Sequence, residues 1–189
     1  MGRLIWFVAL SIAWVVTLVI VAAFAGWTFS AVSSARVVEV SDPMMRGVDA
    51  HWLVRFVGGR VVQVPFDIVS WTSVFMPAIL ISLLGGTSAK IDWSLVRWRR
   101  RCALVALSLA FLCAITSLEA GIRVREASHM FWECAGSVDA ARIEVADDAL
   151  FAAHFHARNL YVALIGCAAA TAIAGSLFLA RRALLVSRT

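Results

Sequence analysis

The chain reads as an all-α membrane protein, a four-transmembrane-helix bundle topped by a small extracytoplasmic cap that contains β-structure. Three observations carry this reading. First, 62% of its 189 residues are hydrophobic and the mean hydropathy is +0.88, whereas a soluble domain is about half apolar. Second, the charged residues, only 15% of the chain, cluster between long uncharged stretches. Third, the basic residues crowd at the ends of those stretches, where topology signals belong. That placement also turns the net charge of +5 away from nucleic acid and towards membrane orientation.

Each span follows from length and the absence of charge, since a helix needs about 20 residues to cross the hydrocarbon core. The first covers about 4–27 and the second about 68–84. The third covers about 102–122 and the fourth about 160–180. The first resembles a signal peptide, with "MGR" ahead of it and Ala23-Phe24-Ala25 near its end. Its apolar run exceeds the usual 7–15 residues of a signal core, which argues for an uncleaved anchor (about 7–15).

With the N-terminus in the cytosol, the inner segments carry nine basic residues against one acid, Asp92. The loops 28–67 and 123–159 then lie outside, with eight basic residues and, counting Glu119 just before the second loop, eleven acids over far more chain. The inner loop, about 85–101, contains "VRWRRRC". The positive-inside rule therefore places both termini in the cytoplasm of a cell membrane, the inner membrane if the source is bacterial. Trp6, Trp93 and Trp98 fall near the inner boundary and Trp27 and Trp71 near the outer one, where an indole has both an apolar bed and water for its N–H.

The cap is predicted from local propensity. "HWLVRFVGGRVVQVPF" places β-rich runs on both sides of Gly58-Gly59, a hairpin signal, with Pro65 ending the second strand. "ARVVEVS" at 35–41, "IRVREAS" at 122–128 and "ARIEVA" at 141–146 offer further strands. The first two of these share four of six aligned positions, as a duplicated two-span unit would. Asp148 is an N-cap candidate for the fourth helix.

All four histidines fall outside: His51, His129, His154 and His156. Copper or zinc would accept imidazoles, with Glu126, Glu133, Asp147 or Cys134 as further ligands. "HFHARN" at 154–159 sits on helix-forming sequence, where residues two apart point about 200° apart, so His154 and His156 do not readily chelate one ion. No HExxH or CxxC spacing is present, and surface histidines are the plainer reading.

Other chemistry finds little support. There is no GxSxG motif and no complete phosphate loop; the glycines of "LLGGTSAK" instead end the second helix. Glu119 enters the spans only near an outer end and has Arg123 as its i+4 partner. Pro77 interrupts the second span, with Thr72 or Ser73 available for the freed carbonyl. In the fourth span, Gly166, Ala170 and Ala174 recur every four residues, as do Ala168, Ala172 and Ser176. Small residues at that spacing let helices approach closely.

The function that follows is non-catalytic: an accessory, assembly or immunity-type subunit that binds a membrane protein partner or a second copy through its spans and outer cap. The alternative is an extracytoplasmic metal-binding or redox accessory using the four histidines. A third reading is a small-molecule carrier with a pocket near Pro77 and Glu119.

Overall fold

The computed structural model describes residues 2–34, 50–85, 97–135 and 140–186. These segments form four helices: α1 (Gly2–Ser34), α2 (Ala50–Gly85), α3 (Arg97–Ala135) and α4 (Ala140–Val186). Each contains a stretch long and apolar enough to cross a membrane: Gly2–Thr28, Val61–Leu84, Arg101–Cys134 and Ala141–Ala180.

Each helix packs on its chain neighbours, and α4 returns to α1 to close the ring, with α3–α4 the most extensive interface. The α1–α4 pair is antiparallel. Gly175 lies against Phe7 near one end, and Tyr161 reaches Leu18 further along. The N-terminus of α1 and the C-terminus of α4 thus share one end of the bundle, here the terminal end. The C-terminus of α1 and the N-terminus of α4 lie at the opposite end, called here the hairpin end.

The core is built from one stripe of each helix. Leu4, Phe7 and Leu18 come from α1, and Val69, Leu80 and Leu84 from α2. On α3 the buried stripe is mostly small, with Ala103, Ala106, Ala110, Ala114 and Ala120. Alanine there lets α4 approach closely, so the gain is dispersion contact rather than escape from water.

Among the described residues there is no strand, which overturns the β-containing cap. The Gly58-Gly59 hairpin and Pro65 both lie inside α2. "IRVREAS" continues α3 and "ARIEVA" opens α4; "ARVVEVS" at 35–41 falls outside the described residues. The physical reason is visible in α2. Its buried positions are Val62, Val69, Ser70, Ser73, Pro77, Leu80 and Leu84, spaced by threes, fours and their sums apart from the adjacent pair Val69 and Ser70. A period near 3.6 runs unbroken from the predicted second strand into the span, and a period of two would have turned that face away from α1 and α3. Two glycines cost about 1 kcal/mol each in a helix, and an isolated hairpin is itself marginal. Continuing the helix also satisfies the backbone internally as the chain nears lipid.

Asp148 is likewise not a cap. It is exposed in the interior of α4, whose first residue is Ala140. The buried face extends back to Ala146, so packing on α3 extends the helix past the local stop signal. The described part of α2 reaches Gly85, the first glycine of "GGTSAK".

The helices are longer than a bilayer requires. The 39 residues of α3 and 47 of α4 correspond to about 58 and 70 Å at 1.5 Å per residue, against about 30 Å of hydrocarbon. The surplus lies largely at the hairpin end, where helices replace the expected sheet.

Candidate functional surface

The interior carries few polar groups, and most are spoken for. The indole N–H of buried Trp14 donates to Ser73 Oγ at 3.0 Å, joining α1 to α2 at mid-span. The buried Tyr161 hydroxyl donates to the Leu18 carbonyl at 3.0 Å, joining α4 to α1, and Phe66 packs edge-on against its ring at 4.7 Å. Ser11, Thr28, Thr171 and Ser176 each donate to the carbonyl four residues back, the economical solution in an apolar medium. Thr72 donates to Val69 O, so neither Thr72 nor Ser73 serves the carbonyl freed by Pro77 in the expected way. Buried Ser117 has no partner for its hydroxyl among the described residues. Its own i−4 carbonyl, that of Cys113, accepts from Thr116.

The hairpin end is tied by charge. Arg125 of α3 donates to Asp67 of α2 at 2.7 Å, with both side chains about one-third exposed (40% and 35%). Glu119 accepts from Arg123 at 2.6 Å, the i+4 pair expected from sequence, and both are well exposed. Pro77 is fully buried in the bundle.

The candidate histidines are dispersed over three helices. His129, on α3, lies 3.2 Å from Glu133 Oε1, one turn away on an exposed face. His154 and His156 are exposed on α4, in helical conformation, and therefore diverge around the axis. Between them Phe155 lies beneath the Arg158 guanidinium, 5.2 Å from its ring centre. His51 belongs to α2, with its side chain outside the described residues. Among the described residues no three metal-ligating side chains are grouped.

The most distinctive surface is the outward face of α4. Phe151, Phe155, Val162, Gly166, Ala170, Ile173 and Leu177 follow one another at steps of three, four or seven residues and are all exposed. Outward positions on the α3 span are mostly large: Val105, Leu109, Leu112, Ile115 and Ile122. The α4 seam instead carries a notch at Gly166 and Ala170, and nothing lies within 4 Å of where a Gly166 Cβ would stand. Above the notch, Phe151 and Phe155 sit roughly 14 and 8 Å beyond Leu160 at 1.5 Å per residue. Headgroups extend about 5–8 Å past the hydrocarbon. Glu144 and Asp148 extend the same face further towards the hairpin end, and both are exposed.

The two small-residue stripes separate on this helix. Ala168 and Ala172 are buried and Ser176 is half-buried, so that stripe serves the bundle. Gly166 and Ala170 are exposed and Ala174 is half-buried. Sequence reasoning missed Gly175, Trp14 and Tyr161 as packing determinants. A tryptophan at mid-span was the available signal for Trp14, because its N–H needs a partner in lipid. No signal short of the neighbouring Phe7 ring distinguishes Gly175 from Gly166. No family model, curated protein or solved structure matches the chain.

Proposed function

We propose that this protein is a multi-pass membrane subunit of accessory, assembly or immunity type, which acts by binding another membrane protein. The observation that carries the reading is the outward face of α4: a small-residue notch at Gly166 and Ala170, continued towards the hairpin end by exposed Phe151 and Phe155. Lipid tails gain nothing from a notch, whereas a partner helix gains close van der Waals contact. Exposed aromatic side chains next to such a notch are typical anchors of protein contacts. The arginine bias supports cytoplasmic termini, with the hairpin end and its histidines on the far side.

Affinity purification from native membranes in mild detergent tests the reading. A stoichiometric membrane partner, lost on Gly166→Leu or Phe151→Arg, is the expected result. Recovery of the chain alone after lipid-phase cross-linking would overturn it. Reporter fusions at the two ends test the orientation, and signals from opposite compartments would reject it.

A further inference from the structure

Pro77 is fully buried within α2, so the Ser73 carbonyl four residues back has lost its N–H donor inside an apolar bundle. In a spanning helix such a carbonyl is served by a Ser or Thr hydroxyl, a neighbouring helix, local unwinding or ordered water. Thr72 is spent on Val69 O, and Ser73 Oγ accepts from the Trp14 indole at 3.0 Å. Among the described residues no other side chain bonds to Ser73. The helix runs unbroken through Pro77 to Gly85, which leaves out local unwinding. Water is the remaining donor.

Two hydroxyl donors complete the surroundings. Ser73 keeps its own O–H hydrogen, because Thr72 has taken its usual acceptor, Val69 O. Ser117 of α3 repeats the arrangement: Thr116 takes Cys113 O, and the buried Ser117 hydroxyl has no partner among the described residues. The Asp67–Arg125 pair, 2.7 Å apart, sets α2 and α3 level near the hairpin end. Measured from it, Ser73 lies roughly 9 Å along α2 and Ser117 roughly 12 Å along α3, at 1.5 Å per residue. The two serines thus share nearly one depth on the buried stripes of adjoining helices, and Ser117 is flanked on its stripe by the small Ala114 and Ala120. Buried Ser70 fills the turn between Asp67 and Ser73, so polar side chains lead from the partly exposed ion pair to the proline. Unpaired hydroxyls and carbonyls are costly in an apolar interior. We propose that α2 and α3 hold a structural water molecule at Pro77. It accepts from the Ser73 and Ser117 hydroxyls and donates to the Ser73 carbonyl, a coordination usual for buried water. The site stands independently of the partner-binding reading.

The isotopically labelled full chain in lipid bilayers is read by solid-state NMR, with magnetisation transferred from water. Signals of Ser73 and Ser117 are expected to build up several-fold faster than those of Ala110 and Ser11. Ser11 is the control for hydroxyl chemistry, since it is equally buried but donates to Phe7 O. Pro77→Ala returns an N–H donor to the Ser73 carbonyl and should slow the build-up at Ser73. Ser117→Ala removes one partner of the water and should do the same. Should neither variant accumulate, the comparison within the unaltered chain decides alone. Build-up at Ser73 and Ser117 no faster than at Ser11 would overturn the site. A fast signal at Ser73 that both variants leave unchanged would overturn the assigned partners.

Discussion

Gly166 and Gly175 lie nine residues apart on α4, which places them on opposite sides of one helix, about 180° around its axis. A Cβ on Gly175 would stand 2.5 Å from Cε1 of Phe7, whose ring is fully buried. A Cβ on Gly166 would meet nothing within 4 Å. The same residue type in the same helix is thus a structural necessity at one site and an open notch at the other. Composition alone does not separate the two faces. The bulk of the facing helix does.

Four substitutions test that contrast. Tyr161→Ala strikes the inward face hardest, removing a ring packed on Phe66 and a hydroxyl bonded to α1. A loss of about 3–5 kcal/mol is expected, as for other large aromatic truncations, read by equilibrium unfolding in mixed detergent micelles. Gly175→Ala should cost about 1–3 kcal/mol in the same assay, because the fully buried Phe7 ring would have to shift to admit the added Cβ. Stability unchanged within about 0.5 kcal/mol would show that α1 and α4 part easily.

Tyr161→Phe isolates the hydroxyl and should cost about 0.5–1.5 kcal/mol, towards the lower end if the unfolded chain finds other partners within the membrane. Gly166→Leu should leave the stability of the isolated chain within about 0.5 kcal/mol while abolishing partner recovery. A large unfolding shift from Gly166→Leu would mean that the outward face is not outward, and the contrast would collapse.

The number of helices was legible in the one-dimensional pattern of charge. So was the Glu119–Arg123 pair, which is local in chain distance. The cap was not. Gly58, Gly59, Pro65 and Asp148 each carry a signal against helix continuation, and at each the helix continues. Those signals are worth about 1–3 kcal/mol apiece and act within a few residues. The opposing term is the sum over a buried face such as Val62 to Leu84, which no local window weighs. The histidines illustrate the same limit, since their dispersal over α2, α3 and α4 follows from helices running where strands and loops were expected.

By itself, then, the amino-acid order determined that four segments can cross a bilayer and where their apolar cores lie, because lipid imposes a demand on composition and length alone. Only the tertiary structure decided how long each helix is, which stripe of α4 meets α1 and α3, and which stripe is left outward. Those outcomes depend on the shapes of side chains distant in sequence, Phe7 against Gly175 and Tyr161 against Leu18, and a contact of that kind exists only once the helices are side by side.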